Sequence, residues 1–244
     1  MAQQSYRLVQ VGKETSGDPA KFRSELAPYW PVTVAYVKHA TGVDLASRIA
    51  QAQGGAQLSA GTHWDGAAVD LRTRGLTRAQ ILAVVAALRD LGWAAWYRDW
   101  TGNQHIHAAA HLGWTVLTGC LYQVRAYKAG YNGLDTQGRG GKDPHPRPDT
   151  IRTIQQGAIW AARQMLTDIE RYLDDMDEKT LRRIIREEAA AAVKADRERP
   201  AIPGHKEEWG TTPNDLIPRT AYRVNALVAK VDGLAATVAK LIKA

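Results

Sequence analysis

The chain has one cysteine, Cys120, in 244 residues. That excludes an internal disulfide framework, so the protein is expected to fold in a reducing cytoplasm with Cys120 packing as a small buried hydrophobe. Long hydrophobic runs are lacking as well. The opening MAQQSYRLVQVGKE has no apolar core of the kind a secretory signal needs, and no later stretch reaches the length of a membrane span. No membrane span is expected, and a target outside the membrane would be reached through another agent. Glutamate is missing between Glu25 and Glu170. Acid or base work in that stretch falls to aspartate or histidine.

Positive charge is in excess, at +7 with a sequence pI near 9.5. This favours polyanionic partners: nucleic acid, acidic membrane or the anionic polymers of a bacterial wall. The basic residues are scattered rather than gathered into a patch, so nucleic acid is not expected as a partner.

The length suits one domain and something more. Between Leu8 and Leu134 the sequence is rich in tryptophan, glycine and short β-branched runs. PVTVAYV (31–37) and AAVDLRT (67–73) alternate as strands do, and WAAWY (93–97) and HIHAA (105–109) are shorter strand candidates. LTRAQILAVVAALRDLGW predicts a helix with Thr77 as N-cap, Ile81, Val84, Val85 and Leu88 on one face, and Gly92 as the stop. LTGCLYQVRAYKAG predicts another, ending at Gly130. These elements define an α+β domain over 1–132, a small antiparallel sheet with flanking helices. A Gly/Pro-rich linker follows over 133–150. The region 151–244 is all-α in pattern. From about 217 it places Ile217, Val224, Leu227, Val231, Leu234, Val238 and Leu241 at heptad spacing, which predicts a coiled coil and self-association as a homo-oligomer. The seam is wide and leaves the oligomer number open.

The stretch GNQHIHAAAH (102–111) crowds three of the seven histidines together. On a strand, His105 and His107 face the same way, and two imidazoles on one face begin a zinc site. Further ligands must come from elsewhere. In SAGTHWDGAAVDL (59–71), His63 precedes Asp70 by seven positions. On one straight strand the two would face opposite ways, but a turn at WDG lets both converge on one ion.

These residues carry a resemblance. SAGTHWDGAAVDL is similar to the S-x-H-x-x-G-x-A-x-D signature of D-alanyl-D-alanine metallopeptidases, with Ser59 four residues before His63 rather than two. HIHA resembles the H-x-H motif of the wider superfamily that includes lysostaphin-type peptidases and hedgehog domains. Together with GWAAWYR and AYKAGYNGL, the set most resembles peptidoglycan peptidases of actinobacteria and their phages, over roughly residues 55–135. The resemblance implies zinc bound by His63, Asp70 and His107, with His105 as the acid/base. Many members carry a carboxylate three residues before the last ligand. Here that position is Gln104, so proton transfer is expected from His105, with Asp99 or Asp65 as other sources.

Around this centre, Arg72 and Arg98 are candidates to hold a substrate carboxylate, and Trp64 and Trp100 to line a groove. Trp93 and Trp96 are expected as packing residues, His111 and His145 as surface or supporting residues, and His39 and His205 as surface. The resulting expectation is a zinc-dependent peptidoglycan peptidase. Its simplest setting is a phage endolysin, held in the host cytoplasm until a holin releases it to the cell wall. A virion-tail lysin of the same chemistry and a non-catalytic zinc-containing wall-binding or structural module are the alternatives.

Overall fold

The computed structural model describes residues 7–54, 62–64, 66–112, 118–134 and 140–174. The chain divides into two compact units, Met1–Ala161 and Ala162–Ala244. Most of the region expected to be all-α, including the coiled coil expected from about 217, lies outside the described residues, as do Ser59 and Asp65.

In the first unit, β1 (Leu8–Lys13) and β2 (Pro19–Arg23) form an antiparallel hairpin with a bulge between Gln10 and Gly12. Helix α1 (Trp30–Thr41) follows. The second sheet has four antiparallel strands, β3 (Ile49–Gln51), β4 (Ala68–Arg72), β5 (Trp93–Trp100) and β6 (Asn103–Ala110), in the order β3-β4-β6-β5. Between β4 and β5 runs α2 (Arg78–Asp90), and after β6 come α3 (Thr118–Ala129) and α4 (Ile154–Asp174). The domain is thus α+β with small antiparallel sheets, as the sequence predicts.

One expected strand is a helix. Residues 31–37 form the body of α1, and the reason lies in their spacing. Trp30, Thr33 and Val37 recur at helical intervals and are buried together with Val32 and Tyr36. Pro31 sits in the first turn, where its missing N–H leaves no bond unmade. The buried hydroxyl of Thr33 donates to the Tyr29 carbonyl at 3.0 Å and accepts the indole N–H of Trp93 at 3.3 Å. Edge-to-face contacts of Trp30 with Phe22 (5.1 Å) and with Trp93 (6.1 Å) tie hairpin, helix and sheet into one core.

The register of the four-stranded sheet assigns each side chain to a face. Asp70 lies opposite His107, and His107 opposite Trp96; Arg72 lies opposite His105, and His105 opposite Arg98. These residues share the front face. The back face carries Val69, Leu71, Ile106, Ala108, Trp93 and Ala95, all buried. Helix α2 lies against the back, where Arg78 pairs with Asp99 and covers the ring of Tyr97. Its start is fixed by reciprocal bonds between Thr77 and Gln80. Helix α3 lies on the front, with Tyr127 edge-on to Trp96 at 6.0 Å and Gln123 against His107.

The stretch 140–149 is bound to this domain. The buried guanidinium of Arg89 donates to the carbonyls of His145 and Pro146 and reaches the buried carboxylate of Asp143 at 2.7 Å. Arg147 donates to the carbonyls of Tyr127 and Lys128 at the end of α3.

Candidate metal centre

Three polar side chains meet on the front face. Asp70 comes from the middle of β4 and His107 from its register partner on β6, so adjacency is set by strand pairing alone. His63 comes from the turn that leads into β4. The Gly66 N–H donates to the His63 carbonyl at 3.2 Å, and the Gly66 carbonyl accepts from Arg23 N at 3.1 Å. Gly66 has φ +67°, and a Cβ there would meet Arg23 N and Leu8 Cδ2 at 2.8 Å. Only glycine fits this turn. From α3, the Cys120 thiol donates to the Thr62 carbonyl at 2.9 Å, so the buried cysteine also ties down the residue before His63.

His107 Nδ1 lies 2.7 Å from Asp70 Oδ1, and His63 Nε2 lies 3.4 Å from Asp70 Oδ2. One donor atom from each residue falls within 4.8 Å of the others, close enough to hold a metal ion. Among the described residues this is the one such group. Two imidazoles and one carboxylate are a donor set zinc accepts, with a position left for water or substrate. The buried Nδ1 of His63 has no hydrogen-bond partner among the described residues.

Electrostatics fit the same use. Burial pushes the Asp70 carboxyl up, but His107 and His63 more than offset this and hold it well below the usual carboxylate range. It is therefore ionised. Burial lowers the pKa of His107, and His63 and Arg98 act in the same direction against the opposing pull of Asp70. The neutral, ligating form is thereby favoured.

His105 stands beside this group, its Nε2 3.8 Å from Asp70 Oδ1 and its Nδ1 2.9 Å from the Asn103 carbonyl. Arg72 and Arg98 flank it in register, one on each neighbouring strand. Arg72 is exposed. Arg98 is buried, with its guanidinium 5.0 Å from the Trp96 ring centre and 6.0 Å from that of Trp100. Burial lowers the Arg98 pKa to about 10, partly countered by Asp70 and Asp143, so it remains charged at neutral pH. Trp64, beside His63, is 58% exposed, and Trp100, edge-on to His105 at 5.5 Å, is 46% exposed. Trp93 and Trp96 are buried as expected, and Trp96 also stacks on the His107 ring.

Asp99 is not brought to the cluster. It lies on the back face opposite Gln104, bonded to Gln104 Nε2 at 2.7 Å, to the Tyr97 hydroxyl and to Arg78. The same register puts position 104 across the sheet from His107, so a carboxylate there would not reach the front face. His111 is used structurally, its Nδ1 2.9 Å from the Arg152 carbonyl.

Gln123 is the neighbour that the sequence reading passes over. Its Oε1 lies 2.7 Å from His107 Nε2. The signal available was a polar residue on the same side of the predicted helix as Cys120 and Tyr127.

Comparison with protein-family models, with curated proteins and with solved structures finds no match for this chain.

Proposed function

We propose that the protein is a zinc-dependent peptidase that hydrolyses amide bonds in the stem peptides or cross-links of bacterial peptidoglycan, acting as a phage endolysin. The observation that carries this reading is the convergence of His63, Asp70 and His107 beside a fourth polar group, His105, on one sheet face. The motif resemblance supplies the substrate class, and the +7 charge suits an anionic wall.

Zinc held there supplies Lewis acidity to polarise an amide carbonyl and to make water nucleophilic near neutral pH. The chain's own residues do the rest. The Asn103 carbonyl can only accept, so His105 Nδ1 carries the proton and Nε2 holds its lone pair toward the cluster. From there His105 takes the proton of the attacking water and returns it to the leaving amine, as a positioned imidazole can. Arg98, stacked between two indoles, and Arg72 present guanidinium groups on either side of His105 to orient a substrate carboxylate. Trp64 and Trp100 offer exposed apolar surface for the peptide or glycan.

The test is mass spectrometry of fragments released from purified actinobacterial peptidoglycan, with and without a zinc chelator. New amino termini that vanish with chelator and return with zinc are expected. His105→Ala should keep zinc and lose release by about 100-fold or more. No release from zinc-loaded wild-type protein would overturn the peptidase reading and leave a zinc-containing wall-binding module.

A further inference from the structure

We infer that Gln123 is a positioning residue that fixes the tautomer of His107 and thereby makes Nδ1 the ring nitrogen presented to the metal. The inference rests on the metal-centre reading above and adds to it a residue from a different element.

Gln123 touches two things. Its Oε1 lies 2.7 Å from His107 Nε2, and its Nε2 donates to the Gly133 carbonyl at 3.4 Å. The second contact sets which way round the amide sits. Turned over, Oε1 would face the Gly133 carbonyl oxygen, two acceptors against each other. The position of that carbonyl is itself constrained. Gly133 has φ +67°, and a Cβ there would meet the Trp96 ring at 2.8 Å. Trp96 in turn donates its indole N–H to the Tyr131 carbonyl at 3.2 Å and stacks on the His107 ring with 16° between planes. Loop, indole and imidazole are thus locked together.

An amide oxygen only accepts, so His107 Nε2 carries the proton and Nδ1 is left with a lone pair. That nitrogen lies 2.7 Å from Asp70 Oδ1, the distance of a hydrogen bond. A bound ion would take the place of the proton that these two atoms, held on neighbouring strands, otherwise share. A ligating histidine commonly gives its second N–H to a carboxylate, carbonyl or water, and here a neutral side-chain amide takes that place. The tautomer is fixed without adding negative charge, which keeps a bound ion more electrophilic than a carboxylate partner would.

The experiment uses the full chain as wild type, Gln123→Met and Gln123→Glu, with zinc as the probe. Zinc affinity is measured by competition with a chromophoric chelator, and the His107 tautomer by long-range proton–nitrogen correlation on zinc-loaded, 15N-histidine-labelled protein. In the wild type, His107 should show a protonated Nε2 and a metal-bound Nδ1. Gln123→Met should weaken zinc binding by about 10- to 100-fold, and Gln123→Glu, which keeps an acceptor, should not weaken it. Zinc bound through Nε2 in the wild type would overturn the inference. So would wild-type affinity in Gln123→Met, or an equal loss in both variants with native circular dichroism spectra. Wild-type protein that takes up no zinc would overturn the metal centre along with it.

Discussion

Asp70 and His107 are in direct contact, and the direction of each pKa shift fixes how acid should act on the metal-free protein. The folded chain keeps His107 neutral below its usual 6.5, whereas the unfolded chain takes up a proton there. The unfolded state then binds more protons, so stability falls as pH drops below about 6.5. Asp70 is shifted the other way relative to its charge. Its carboxyl is held below the usual 3.8, so its contribution is present above that value and is lost only at lower pH, outside the histidine window. The melting temperature of chelator-treated protein should therefore be flat from pH 8 to about 6.5 and decline toward pH 5. A melting temperature that rises on acidification would contradict the assignment. At this scale much was legible. The two-residue spacing of His105 and His107 and the glycine turn after His63 carry their geometry in the chain itself. Asp99 was misplaced by one residue of parity, because its face depends on the register of the β5–β6 hairpin. Gln123 was not legible because its partner lies on another element.

At the scale of the element, helices with an apolar stripe and a cap could be read, and those defined by tertiary contact could not. Thr77 with Gln80 at N3 and Ile81, Val84, Val85 and Leu88 on one face identify α2 without further help. Residues 31–37 alternate well enough to mimic a strand. What makes them helical is the demand of the core for Trp30, Thr33 and Val37 on one side. The close approach of α4 to the end of α2 was equally hidden. Gly157 lies within α4, where alanine would ordinarily stabilise a helix by up to about 1 kcal/mol. A Cβ at 157, however, would overlap the backbone carbonyl of Leu91. Gly157→Ala should therefore destabilise the protein by about 1–3 kcal/mol, as overpacking does. Denaturant unfolding checks the sign, and a stabilised variant would show that α4 does not sit against Leu91.

On the scale of the whole molecule, the site is assembled within the first unit, from β4, β6, the turn after residue 61 and α3. None of its described side chains comes from beyond α3, and we propose wall binding or self-association for the region after α4. Deleting 176–244 should leave zinc content and hydrolysis of soluble muropeptides within about twofold of the full chain, while reducing lysis of intact walls by about tenfold or more, as loss of a second attachment does. Zinc analysis and paired assays on the two substrates check this, and loss of zinc on truncation would move the domain boundary. The central claim, that His63, Asp70 and His107 hold one metal ion, is tested most directly by a crystal structure of the zinc-loaded protein with data collected on both sides of the zinc absorption edge. The account predicts a single strong anomalous peak bound by Asp70, His63 and His107. No peak there, or a peak held by other residues while His63 and Asp70 keep their direct contact, would contradict it.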